Sequence, residues 1–153
     1  MRAVTDHYSQ LLAPVYLWMA GGSQKALPQG AEDLVRLQLV PSRNAAAIDL
    51  GAGFGMHSIP LARLGFAVTA IDTSAILLAE LRRLGADLPI RAIEDDLLNF
   101  TAHMATIPGL ILCMGDTITH LPTPDAVALL CGRVAHSLAP GGRCPLHPGS
   151  QRC

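Results

Sequence analysis

An α/β fold, a single parallel sheet with helices on its faces, is predicted by this sequence from three observations. Short apolar runs alternate with longer stretches of helical periodicity from Ala45 onward, each run ends in a carboxylate, and a glycine-rich turn follows the first of them. With 153 residues, 50% of them hydrophobic, the chain is long enough to bury one core and too short for two ordinary domains. The expected division is a helical preamble over 1–44, the sheet domain over 45–142 and an irregular tail over 143–153.

Along the preamble, Tyr8, Leu11, Leu12, Val15, Tyr16 and Trp18 make an aromatic and apolar surface, Gly21-Gly22-Ser23 breaks it, and a helix from about Ala31 to Val40 leads into the first strand. Packing against the sheet and closure over a ligand are both open for this part. The expected strands are Ala45 to Asp49, Ala67 to Asp72, Pro89 to Ile93 and Leu110 to Met114. Between the first two, Ile59, Leu61, Ala62 and Leu64 recur at helical spacing and Gly65 follows as a C′ residue. Ser74 is placed to cap the next helix, which carries Ile76, Leu77, Leu81 and Leu84 and stops at Gly85. Thr123-Pro124-Asp125 combines a cap, a proline at the first helical position and an acid in the first turn, and Pro140-Gly141-Gly142 ends that last helix. Right-handed crossovers would distribute these helices over both faces of the sheet.

Composition narrows the partner. A net charge of -1, 15% charged residues and no basic cluster give no electrostatic footprint for nucleic acid or an anionic membrane, so a small molecule is favoured. The apolar stretch Leu11 to Ala20 is interrupted by Pro14 and falls short of the roughly 20 residues of a membrane span, so neither a signal peptide nor a transmembrane helix is expected. The 4 cysteines form no CxxC pair, which fits a reducing cytoplasm. Cys144, His147 and Cys153 match no familiar zinc spacing, and no metal site is expected.

The chemistry gathers at one edge. Asp49, Asp72, Glu94-Asp95-Asp96 and Asp116 follow the four apolar runs, which puts six of the 12 acids at the carboxyl ends of the strands, where an open α/β sheet binds its ligand. Ordinary helix caps would account for one or two of these acids and account poorly for four positions in phase. Glycines at 51, 53 and 55 let backbone pass close to a ligand in a tight turn. The dinucleotide fingerprint would place its third glycine at 56, which is Met56.

In order, the segments Ala47-Ile48-Asp49-Leu50-Gly51-Ala52-Gly53-Phe54-Gly55, Ala70-Ile71-Asp72-Thr73-Ser74, Asp95-Asp96-Leu97, Ile111-Leu112-Cys113-Met114-Gly115-Asp116 and Leu138-Ala139-Pro140-Gly141-Gly142 resemble the motif series of class I S-adenosylmethionine-dependent methyltransferases, over about Ala45 to Gly142. The resemblance implies a Rossmann-like sheet and S-adenosyl-L-methionine as cofactor. It implies that Asp49 and the loop residues Gly51, Ala52, Gly53 and Gly55 face the methionine part, the acid acting on the ammonium directly or through water. Asp72, with Thr73 beside it, would receive the ribose hydroxyls, and Asp96 or Asp95 the adenine amino group, with the Leu97 N–H on a ring nitrogen. Cys113 opens the stretch through His120 and Leu121 that the fold places against the transferable methyl group; there Asp116 would hold an amine or hydroxyl acceptor and His120 accept its proton, although a helix-start role for His120 competes. His57 reads as a helix N-terminal residue rather than a catalyst.

The resemblance breaks after Gly142. A complete class I sheet has seven strands, whereas Arg143-Cys144-Pro145-Leu146-His147-Pro148-Gly149-Ser150-Gln151-Arg152-Cys153 holds two prolines and no β-branched residue, so a central strand is not expected and the C-terminal strands of the methyltransferase sheet are missing. The expected consequences are an exposed edge at Leu110 to Met114, possible self-association through it, and a substrate pocket short of one wall. Two rivals to small-molecule N- or O-methylation follow: a non-catalytic cofactor-binding remnant, and an NAD-binding Rossmann oxidoreductase, which would want a glycine at 56 and a catalytic domain downstream.

Overall fold

The computed structural model describes residues 15–115 and 117–146, and Asp116 and both termini lie outside the described residues. Four parallel strands, β1 (Ala46–Leu50), β2 (Ala67–Asp72), β3 (Ile90–Glu94) and β4 (Leu110–Leu112), form one sheet in the order β3-β2-β1-β4. In register, Leu50 lies beside Ile71, and Asp49 lies between Ala70 on one side and Leu112 on the other. The chain steps outward from β1 through β2 to β3 and then returns to the far side of β1. The order therefore reverses between β1 and β4, and the loops leaving those two strands flank the opening where this architecture binds ligands.

Strand alternation divides the core into two layers. On one face Ala47, Val68, Ala70, Leu110 and Leu112 pack with Ile59, Leu61 and Ala62 of α2 (Ser58–Leu64) and Leu78 and Leu81 of α3 (Ala75–Leu84). On the other, Ile48, Leu50, Ile71 and Ile111 meet Leu97 and Phe100 of a 3₁₀ helix (Leu97–His103) and Leu130 and Val134 of α4 (Pro124–Ser137). The expected caps are present: Ser74 Oγ accepts from the Leu77 N–H at 3.3 Å and Thr123 Oγ1 from the Ala126 N–H at 3.1 Å. Gly65 ends α2 in the left-handed conformation.

Two expectations need correction. The preamble helix, α1 (Ser23–Arg36), starts about eight residues before Ala31, directly at the Gly21-Gly22 break, and carries Pro28 within it. Pro28 sits in the second turn, where it forfeits an intrahelical hydrogen bond that the packing of Ala26, Gly30 and Leu34 outweighs. Also, β4 is not a bare edge. The Arg143 N–H donates to Gly109 O at 3.0 Å, Ile111 N–H to Arg143 O at 3.0 Å and Cys113 N–H to Pro145 O at 2.9 Å, so residues 143–146 lie along it in parallel. The proline argument holds in part, because Pro145 has no N–H to continue the ladder and the pairing stays a single bridge at the edge of the sheet. The Arg143 guanidinium also donates to the carbonyls of Leu37 and Gln38 at 2.6 and 3.0 Å, which fastens this segment to the C-terminal end of α1.

Candidate functional site

The loop after β1 turns through positive φ at Gly51, Gly53 and Gly55 and runs into α2. Its amides are committed internally: those of Gly51 and Ala52 donate to Ile71 O at 2.8 and 3.1 Å, that of Gly53 to Asp72 Oδ2 at 2.9 Å, and that of Gly55 to Ala52 O at 3.0 Å. Glycine is required at 51 for space as well as conformation, since a Cβ there would stand 2.2 Å from Thr117 Oγ1. Asp72, at the end of β2, also receives the Ser74 N–H on Oδ1 at 2.8 Å, so one backbone donor orients each of its carboxylate oxygens.

Two adjoining cavities open along this edge. The first, about 320 Å³, lies between the glycine loop, α1 and the turn after β4; its walls include Tyr16, Asp33, Phe54, Met56, His57, Met114 and Gly115. The second, about 270 Å³, is walled by Thr73, Asp96, Leu97, Leu121 and Pro122. Gly51, Asp72, Thr117 and His120 line both, so the pair forms one continuous trough. A hollow of about 430 Å³ at the opposite ends of the strands, around Ala46, Ala67 and Pro89, touches neither the glycine loop nor an acid.

The sequence-derived residues divide on this geometry. Gly51, Ala52, Gly53, Asp72, Thr73, Asp96, Leu97 and His120 line the trough. Asp49 does not: its carboxylate is 2% exposed beneath the loop and accepts the Ser58 hydroxyl at 2.5 Å, and burial pushes its pKa up. Gly55 packs inward, where a Cβ would meet Leu81 at 2.2 Å. Cys113 is buried in the layer beneath α4. The neighbouring acids separate: Asp96 caps the 3₁₀ helix through the Leu98 N–H at 2.9 Å and faces the second cavity, whereas Asp95 turns to Asn99 and His103 at 3.0 and 2.6 Å. Those side-chain bonds, Asn99 first, then His103 and the Asp96 amide, hold the Asp95 carboxyl at about 2.

The sequence reading missed Asp33. It stands on the buried face of α1 with Ala26, Gly30 and Leu34, and its Oδ2 lies 3.0 Å from His57 Nε2. His57 is the N-cap residue of α2, at the helix start as expected, and it also lines the cavity. An acid at a position that completes the spacing 26, 30, 33, 34 was the available signal, because a carboxylate on a packed helix face needs a partner. The preamble touches the loop twice more: Tyr16 and Phe54 rings meet with centroids 6.3 Å apart, and Gly30 brings α1 so close that a Cβ would fall 1.9 Å from Met56 O. The preamble thus packs on the loop and walls the cavity at once.

The family model described as a methyltransferase domain matches residues 47–142. Among curated relatives, the ubiquinone biosynthesis O-methyltransferases of Xanthomonas oryzae pv. oryzae (strain PXO99A) and Xylella fastidiosa (strain 9a5c) are 34% and 38% identical over 82% of this chain, and the chain spans about half of their length, 53% and 51%. Among solved structures, the glycopeptide N-methyltransferase MtfA complexed with S-adenosyl-L-methionine superposes with a TM-score of 0.62 at 24% identity over 75% of this chain and 48% of its own. The CcbJ methyltransferase from Streptomyces caelestis gives 0.61 at 21% over 76% and 50%.

Proposed function

The chain belongs to the family of methyltransferase domains, and from that premise we propose that it binds S-adenosylmethionine along the carboxyl edge of the sheet and passes its methyl group to a small-molecule oxygen or nitrogen nucleophile. The observation that carries the reading is the state of the glycine loop. A pyrophosphate needs free loop N–H groups, yet those of residues 51, 52, 53 and 55 are already bonded within the fold. A ligand lying here therefore meets nearby carboxylates rather than free amides, which suits an ammonium and a sulfonium and does not suit a dinucleotide.

In this reading the trough receives such a molecule as follows. Asp72, held by two amides and shared by both cavities, takes the ribose hydroxyls, with Thr73 alongside. Asp96 and the Leu97 amide take the edge of the base in the second cavity. Tyr16, Phe54, Met114 and Gly115 enclose the amino-acid end and the methyl group in the first. The bound cofactor supplies an electrophilic methyl whose sulfonium charge is discharged on transfer. The protein's task is positioning, which on its own supplies about 7 to 11 kcal/mol of barrier reduction when the reacting atoms are held about 3 to 3.5 Å apart. The names of the curated relatives favour an oxygen acceptor.

Titration calorimetry with S-adenosylhomocysteine and with NAD tests the binding half. The homocysteine product binds, NAD does not, and Asp72→Ala weakens binding by about 1.5 to 3 kcal/mol, the scale of lost charge-assisted hydrogen bonds. Binding of NAD in preference to the homocysteine compound would overturn the reading. Label transfer from methyl-labelled cofactor to a panel of hydroxyl and amine compounds tests the second half; binding with no transfer to any of them would leave a cofactor-binding domain only.

A further inference from the structure

Asp33 and His57 have no place in the cofactor contacts just described, yet they line the same cavity as Met114, Gly115 and His120. Their side chains are 6% and 12% exposed and lie 3.0 Å apart, Asp33 Oδ2 to His57 Nε2. Burying a carboxylate and an imidazole together is costly, and two groups needed only to hold a helix on a loop are replaceable by apolar ones. That hold is already supplied by the contact of Gly30 with Met56 and of Tyr16 with Phe54.

We propose that Asp33 and His57 form the acid–base arm of this site, His57 receiving the proton of a neutral hydroxyl acceptor and Asp33 positioning its ring. The proposal rests on the methyl-transfer reading above. A carboxylate only accepts hydrogen bonds, so His57 Nε2 carries the hydrogen toward Asp33, and in the neutral ring that the step requires Nδ1 holds the lone pair. No described residue is hydrogen-bonded to that second nitrogen. As the acceptor oxygen bonds to the methyl carbon, the carbon–sulfur bond breaks with its electron pair left on sulfur. The hydroxyl proton passes to Nδ1, and the imidazolium that forms is stabilised by Asp33. His120 lacks such support, being exposed on its 3₁₀ turn with no carboxylate bonded to it among the described residues.

The charge of the walls defines the acceptor class. Among the described residues the two cavities present Asp33, Asp72 and Asp96 and no lysine or arginine. An acceptor bearing a carboxylate or phosphate has no counter-charge there, whereas a phenol or alcohol is accommodated.

The test uses the whole chain saturated with S-adenosylhomocysteine, its imidazoles labelled with ¹⁵N and His57 assigned through His57→Gln. Catechol serves as the neutral hydroxyl probe. Its titration moves the His57 Nδ1 resonance, and Asp33→Asn abolishes that movement; catechol that leaves His57 unmoved, or does not bind, overturns the proposal. In turnover, His57→Gln lowers kcat for catechol about 10²- to 10⁴-fold and lowers kcat for pyridine, a neutral acceptor with no proton to lose, less than threefold. Equal loss on both acceptors, or a parallel loss of S-adenosylhomocysteine affinity, marks a structural role and overturns it. Failure of the wild-type chain to bind S-adenosylhomocysteine at all is seen separately by calorimetry and overturns the methyl-transfer reading, and with it this proposal.

Discussion

Burial of Asp49 beneath the glycine loop gives the molecule a pH dependence of stability with a definite sign. Desolvation raises its pKa, while His57, when protonated, and the Ser58 hydroxyl act against that shift and do not cancel it. The folded chain therefore keeps a proton that the unfolded chain has released above about pH 4, and this group's contribution to stability falls as pH rises from there through the raised value. Asp95 has the opposite sign: its folded pKa is lowered to about 2, so its small surface contribution is complete above about pH 4 and is lost as pH falls toward 2. Asp49→Asn keeps an acceptor for Ser58 and removes the charge. It is expected to be more stable than the wild type at pH 7, with the gap closing toward pH 4 in thermal melts; parallel curves across that range would show that the buried carboxylate carries no such cost.

At the scale of elements, what was legible in the sequence was what local rules determine. Thr123-Pro124-Asp125 and Ser74 announced their helices because capping is decided within four residues, and the strands were visible because both sheet faces are covered and each reads as an apolar run. The same rules put the carboxylates of Asp72 and Asp96 at the carboxyl edge of the sheet, where both line the second cavity. Tertiary contacts escaped them: α1 begins at Ser23 because its face is completed by the loop it packs on, and Asp33 pairs with a histidine 24 residues away. Gly30 tests that docking. A methyl group there would meet a backbone carbonyl, which no rotamer change relieves, so Gly30→Ala is expected to destabilise by about 1 to 3 kcal/mol despite the better helix propensity of alanine. Gly132 in α4 has nothing within 4 Å of its virtual Cβ, and Gly132→Ala is expected to stabilise by up to about 1 kcal/mol. Chemical denaturation of the pair reads the difference; similar shifts for both would mean that α1 does not sit hard on the loop.

For the whole molecule, the decisive feature is how the sheet's two edges are finished. At one, β3 carries exposed Arg91 and Glu94, charges that discourage pairing with another chain. At the other, the three backbone hydrogen bonds from residues 143–146 satisfy Gly109, Ile111 and Cys113, and Cys144 joins the core layer beside β4. Each such bond contributes roughly 1 kcal/mol net, but a donor left buried and unpaired costs about 1 to 3. Arg143 ties the same segment to the carbonyls of Leu37 and Gln38, so the covered edge and the preamble helix support each other across 106 residues of sequence. A chain ending at Gly142 loses all of this at once: the wholly buried β4 becomes an open edge, and the end of α1 loses its guanidinium. Light scattering is expected to find the 153-residue chain monodisperse and the shortened one in larger species, while Arg143→Ala, which keeps the backbone pairing, stays monodisperse with a lower melting temperature. A shortened chain that remains a monomer would mean that β4 is protected by its short length and flanking loops, and that the tail's pairing is dispensable for solubility.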